Sequence, residues 1–149
     1  MAQICRQGEQ VQLRVSRGER RTLVQIVDRL EPLVGKCHWA RPHAYEDAEA
    51  EAEYQRLVGA ELEGGRAADL AQVRGLLASD EPIVLDSEDA VAWLRALNLL
   101  RLALAERLGI ERDGWEDQYT AQQHRRSPLA TLHLLSWVQE ELVLAIEPE

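Results

Sequence analysis

"AVAWLRALNLLRLALAERLGI", residues 90–110, is the stretch that decides the fold of this chain. Trp93, Leu97, Leu100, Leu104 and Leu108 recur at steps of three and four, which stacks them along one side of an α-helix. Asp86 with Asp89, or Ser87 itself, caps the start, and Gly109 stands where a left-handed residue closes a helix. Val91, Leu99 and Leu102 fall on roughly the opposite side. A helix apolar on two sides is either central in a bundle or partly covered by a second subunit, and burial within the same chain is the first reading.

Downstream, "ERDGWEDQYTAQQHRR" (111–126) is polar and without period, and reads as a mobile loop. Ser127-Pro128 then gives an N-cap followed by a first helical residue, opening a last helix near 128–146. Its main face carries Leu132, Leu135, Leu142 and Ile146, with Gln139 among them; His133, Trp137 and Leu144 form a second, weaker face. This helix and the one near 87–109 are expected to pack together as a spine. Trp93 and Trp137 serve as core or subunit-contact residues, each needing a partner for its indole N–H.

Upstream, Val11, Leu13 and Val15 alternate with Gln12 and Arg14, the period of a half-buried strand. Ile4 and Cys5 lie on a first strand, with Gln7-Gly8 as the turn. Ser16 and Glu19 form a capping-box pattern ahead of a helix whose inner face is Leu23, Ile26, Val27 and Leu30. Pro32 is expected to end or kink it, and Gly35 to close it. A third element, beginning "YEDAEAEAEYQRLVG", is helical, with Tyr54, Leu57, Val58 and Leu62 on its buried side and Gly64-Gly65 breaking it. A short fourth helix uses Leu70, Val73, Leu76 and Leu77. "IVLD", after Pro82, is either a third strand beside the hairpin or a lead-in to the next helix. The expectation is a single mainly α domain over 1–149, a bundle of about five helices with a small N-terminal β-hairpin.

Composition limits the function classes. The chain of 149 residues is 46% apolar and 29% charged, ordinary for a water-soluble domain, with no uninterrupted apolar run of membrane-spanning length and no signal peptide. A cytoplasmic protein without membrane contact is expected. The net charge of −9 is unevenly spread. Residues 1–45 hold 8 basic and 4 acidic side chains, whereas 46–149 hold 9 and 22. DNA affinity rests on neutralising phosphates, so Arg14, Arg17, Arg20 and Arg21 are the candidate nucleic-acid contacts; scattered arginines on a solvated helix start are the plainer account.

Candidate chemistry gathers at "KCHWARPH", residues 36–43. Cys37, His38 and His43 offer three metal ligands where structural zinc takes four, so no metal or cofactor is expected. Lys36 and His38 beside Cys37 favour a thiolate, and Cys5 and Cys37 are candidate redox residues that could pair if the hairpin lies beside this loop. The plain alternative is a buried strand cysteine and an incidental loop thiol. No nucleotide, nucleophile-elbow or zinc-protease motif is present. An enzyme would need a deep pocket gathering Asn98, Arg101, Gln139 and a carboxylate, so a non-enzymatic protein is expected.

Three stretches, "HAYEDAEAEAEYQRLVGAEL", "VLDSEDAVAWLRALNLLRLALAERLGI" and "LATLHLLSWVQEELVLAI", together resemble one family, most specifically in the run from Trp93 to Arg101. It is the actinobacterial family of AosR-type oxidative-stress transcriptional regulators, long catalogued as a domain of unknown function. The resemblance implies a redox-responsive regulator working with a sigma factor or other transcription machinery, with DNA as a further partner. Its frequent gene neighbour, a Clp protease adaptor, implies the alternative of a non-catalytic adaptor module that binds no DNA. The second apolar faces, with Trp93, Leu99, Leu102, His133, Trp137 and Leu144 as core or interface residues, suggest a homodimer.

Overall fold

The computed structural model describes residues 2–37, 46–110 and 113–147. Strands β1 (Gln3–Gln7) and β2 (Gln10–Arg14) form the expected hairpin, and β3 (Ile83–Leu85) adds to its far side, giving an antiparallel sheet ordered β1-β2-β3. The "IVLD" segment is therefore a strand. The turn is centred on Gly8-Glu9, one residue later than read, because Gly8 takes the left-handed φ of +64° that a side chain disfavours. Val11, Leu13, Ile83 and Leu85 are buried toward the helices, while Gln12 and Val84, paired across the strands, lie on the other face with Cys5.

Helix α1 (Arg17–Val34) starts in the predicted capping box: the Ser16 hydroxyl accepts from the Glu19 N–H and the Glu19 carboxylate accepts from the Ser16 N–H. Pro32 neither ends nor breaks it. It stands in the last turn, where one i−4 hydrogen bond is all it forfeits, and the helix closes at Gly35.

The Gly64-Gly65 break is also corrected. The chain is helical from α2 (Ala48–Tyr54) through a π-helical turn (Gln55–Gly59) into α3 (Ala60–Ala78), and both glycines lie inside α3. Leu70, Val73 and Leu77 bury against α1 and α4, and that packing overrides the local cost of two glycines. The irregularity lies upstream, and with it the expected inner face: Leu57 is 62% exposed and Leu62 is exposed as well.

Helix α4 (Ser87–Leu108) has both predicted caps, an Asp86–Asp89 capping box and Gly109 at a left-handed φ of +72°. Its predicted stripe from Trp93 to Leu104 is buried, and its packing against α6 (Leu129–Ile146) is the most extensive helix–helix contact in the fold. The mainly α architecture with a small N-terminal sheet is thus as the sequence indicates. Helix α6 begins one residue later than read. The Arg126 and Pro128 carbonyls accept from the Ala130 and Leu132 N–H groups, so the preceding turn supplies the start and Ser127 is not the cap. By length and composition α6 could cross a membrane, a possibility the sequence reading missed by asking for an apolar run unbroken by Glu140 and Glu141. Here Leu129, Leu132, Leu135, Val138 and Leu142 bury one face of it in the protein.

Residues 113–126, read as a loop, contain two short helical turns. Gly114, at φ +78°, turns the chain into a 3₁₀ turn (Trp115–Gln118), and Thr120 caps the short α5 (Ala121–His124) in a reciprocal box with Gln123.

Candidate functional site

The two thiols differ in their surroundings. Both are free. Cys5 is on the sheet face turned away from the helices, its partner across the ladder being Gln12. Cys37 follows the C-terminal end of α1 and is buried in the helical core, where its thiol donates to the Leu33 carbonyl at 3.2 Å. No disulfide joins them: Cys5 belongs to the outer face of the sheet and Cys37 to the helical core. Nor is Cys37 activated by Lys36 and His38. Burial, and the Glu106 side chain that bonds and repels it, push its thiol up to about 12. His38 and His43, the other members of the three-ligand reading, lie outside the described residues; among those described, no group of three potential metal ligands forms.

The arginines divide. Arg14, Arg17 and Arg21 are exposed. Arg20 is not a free cation: its guanidinium donates to the carbonyls of Leu76, Ser79 and Glu81 at the C-terminal end of α3. It is a helix cap supplied from another helix, and a phosphate would have to compete with carbonyls that need it.

Between the sheet, α1 and α6 opens a half-open cleft of about 470 Å³. Ile4, Leu13 and Val15 form one wall, Leu23 another, and Leu134, Trp137 and Val138 the third, with Ser16, Glu19 and Thr22 at the polar edge. Sequence periodicity placed Trp137 on a second face of α6; that this face and the inner face of the hairpin enclose one cleft depended on how the sheet docks. Pockets of this size lined by apolar side chains with a few polar ones are typical of binding sites.

A second, polar cleft of about 630 Å³ separates α4, the 113–116 turn and α6. Arg101, Asp113, Glu116, His133, Ser136 and Glu140 line it beside Leu102 and Trp115. At its margin the His133 ring stacks on Trp115 at 5.8 Å and 20°, and His133 Nε2 lies 2.9 Å from His124 Nδ1. His124 Nε2 in turn meets the Glu116 carbonyl at 2.7 Å, and Tyr119 stands edge-on to His124. His124, Trp115 and Tyr119 were missed as functional candidates; the Thr120-x-x-Gln123 capping signal was the clue that their segment holds a helical turn.

The remaining candidates scatter. Trp93 is 1% exposed and belongs to the core, the first of its two readings, and its indole N–H has no partner among the described residues. Leu99 is half-buried in the groove between α3 and α4, Leu102 is exposed at the polar cleft, and Leu144 is 63% exposed on α6. The Arg101 guanidinium donates to Asn98 Oδ1 at 3.3 Å, but Asn98 lines the α3–α4 groove, Arg101 the polar cleft and Gln139 neither, so neither cleft gathers the whole enzymatic constellation weighed from sequence.

A family model described as a domain of unknown function, DUF2017, matches residues 1–146. No curated protein and no solved structure matches the chain.

Proposed function

Because the chain belongs to the DUF2017 family, to which no function is attached, we propose on physical grounds that it is a regulatory protein acting by contact with other proteins. The observation that carries this reading is the apolar cleft between the hairpin, α1 and α6, which leaves Trp137, Leu23 and Ile4 as a concave surface for a partner's apolar side chain. The exposed Arg14, Arg17 and Arg21 lie at the same end of the fold, so an apolar segment flanked by acidic residues is the complementary partner.

The likeness to AosR-type actinobacterial regulators supplies the finer reading: a cytoplasmic homodimer that meets a sigma factor or RNA polymerase. Any DNA contact is auxiliary, since three exposed arginines stand against a strongly acidic remainder and Arg20 is engaged. The thiol arm of the regulator reading rests on two free cysteines, Cys5 on the sheet and Cys37 after the end of α1.

The test is binding of the purified chain to purified RNA polymerase holoenzyme, and separately to a Clp ATPase, by interferometry. Polymerase binding that Trp137→Ala weakens by about 2 kcal/mol, the scale of an aromatic anchor, is expected while circular dichroism stays native. Binding to the Clp component alone would favour the adaptor alternative. Binding to neither, or polymerase binding indifferent to Trp137→Ala and Leu23→Asp, would sink the reading.

A further inference from the structure

The segment from Asp113 to His124 is tied to α6 by a contact whose survival depends on proton count. The Glu116 carbonyl can only accept, so His124 Nε2 carries a hydrogen. A neutral His124 therefore presents a bare Nδ1, and His133 Nε2–H donates to it across 2.9 Å. A first added proton costs nothing: with both nitrogens of His133 protonated, the same Nε2–H still donates, now with charge assistance. A second added proton has only His124 Nδ1 to occupy. Two N–H groups would then face each other across that gap, and one ring must turn away.

We propose that His124 and His133 form a proton-operated latch, which holds the 113–124 segment on α6 while the pair carries at most one extra proton and releases it when both rings are imidazolium. The pair sits among charges of both signs. Asp113 and Glu116 on the segment and Glu140 on α6 outnumber Arg101 on α4 around the cleft. Arg125 and Arg126 directly follow His124, and the Tyr119 ring stands edge-on to it. The consequence is local. Trp115, stacked on His133, tilted against His124 and packed at the edge of the core, leaves with the segment and uncovers the apolar wall made by Ala105, Ile110 and Leu132. The latch is separate from the apolar cleft and does not depend on the function proposed for it.

Amide hydrogen exchange from pH 7.5 to 5, corrected for the intrinsic rate, tests the latch. In the wild type, protection of residues 113–124 relative to α1 is expected to fall by about tenfold or more, the scale of one hydrogen bond. In His133→Gln the amide donates to a bare Nδ1 or, flipped, accepts from a protonated one, so protection should stay level with pH. His133→Ala should be poorly protected throughout. Ring-nitrogen NMR at neutral pH should show His124 as the Nε2–H tautomer. Level protection in the wild type, an equal fall in His133→Gln, or the Nδ1–H tautomer at His124 would overturn the proposal.

Discussion

At Cys37 the neighbours in sequence and the neighbours in space pull in opposite directions. Lys36 and His38 argue for a thiolate; the burial of the sulfur and the Glu106 carboxylate beside it hold the proton on. A thiol reagent at pH 8 should therefore modify Cys5 and spare Cys37 until denaturant is added, with peptide mass spectrometry reporting the order. The linkage has a definite sign. The folded thiol is raised from an ordinary value of 9.0 to about 12, so its contribution to stability is complete below pH 9 and is lost as pH climbs toward 12. Urea midpoints should decline over that range and decline less in Cys37→Ala. Arg20 makes the same point about position. In sequence it is one of four arginines; in the fold it closes the end of α3. Arg20→Ala should cost about 1–2 kcal/mol of stability, and Arg17→Ala or Arg21→Ala close to none, as read by thermal or urea unfolding. Neither role was legible beforehand, because Glu106, Leu76 and Glu81 reach these residues only through the packing of helices distant in sequence.

Helices whose inner face and caps agree could be read from the sequence. In α4 the apolar stripe, the Asp86–Asp89 box and Gly109 each point to one helix between the same limits, and in α1 the Ser16–Glu19 box does so again. Readings failed where one local signal was taken against tertiary packing. Gly64-Gly65 were read as a break, yet the residues that decide α3 are Leu70, Val73 and Leu77, which bury further on. A methyl group at Gly64 or Gly65 meets no atom within 4 Å, and neither glycine has a positive φ. Gly64→Ala and Gly65→Ala should each therefore stabilise the protein by about 0.5–1 kcal/mol, measurable as a rise in the urea midpoint. The opposite substitution class applies to Gly109. There the left-handed φ makes Gly109→Ala destabilising although space is open. The 111–126 reading failed for a different reason: polarity and lack of period were weighed, and the Thr120–Gln123 box was not.

The molecule as a whole is organised by the packing of α4 on α6, with the sheet and α1 closing one side and leaving the apolar cleft. Leu100 is fully buried between these elements, and Leu100→Ala should cost about 2–5 kcal/mol, enough to remove much of a domain's stability in a calorimetric scan. That α4 is central was visible in its stripe from Trp93 to Leu104; the second face read on it did not contribute, since Val91 and Leu102 are exposed and Leu99 is half-buried. The cleft was not visible, since it forms only where a strand face, α1 and α6 converge, and no single periodicity contains all three. The sheet carries a last consequence. Its outer margins, β1 and β3, run without a strand neighbour among the described residues, and bare margins of this kind invite foreign chains to add on. β3 offers only three residues to such an intruder. β1 offers five, but Arg6 near its end is bent back onto the Glu147 carbonyl at 3.1 Å, so an incoming strand meets an anchored charge, and fibril seeding through this sheet is blunted on both borders.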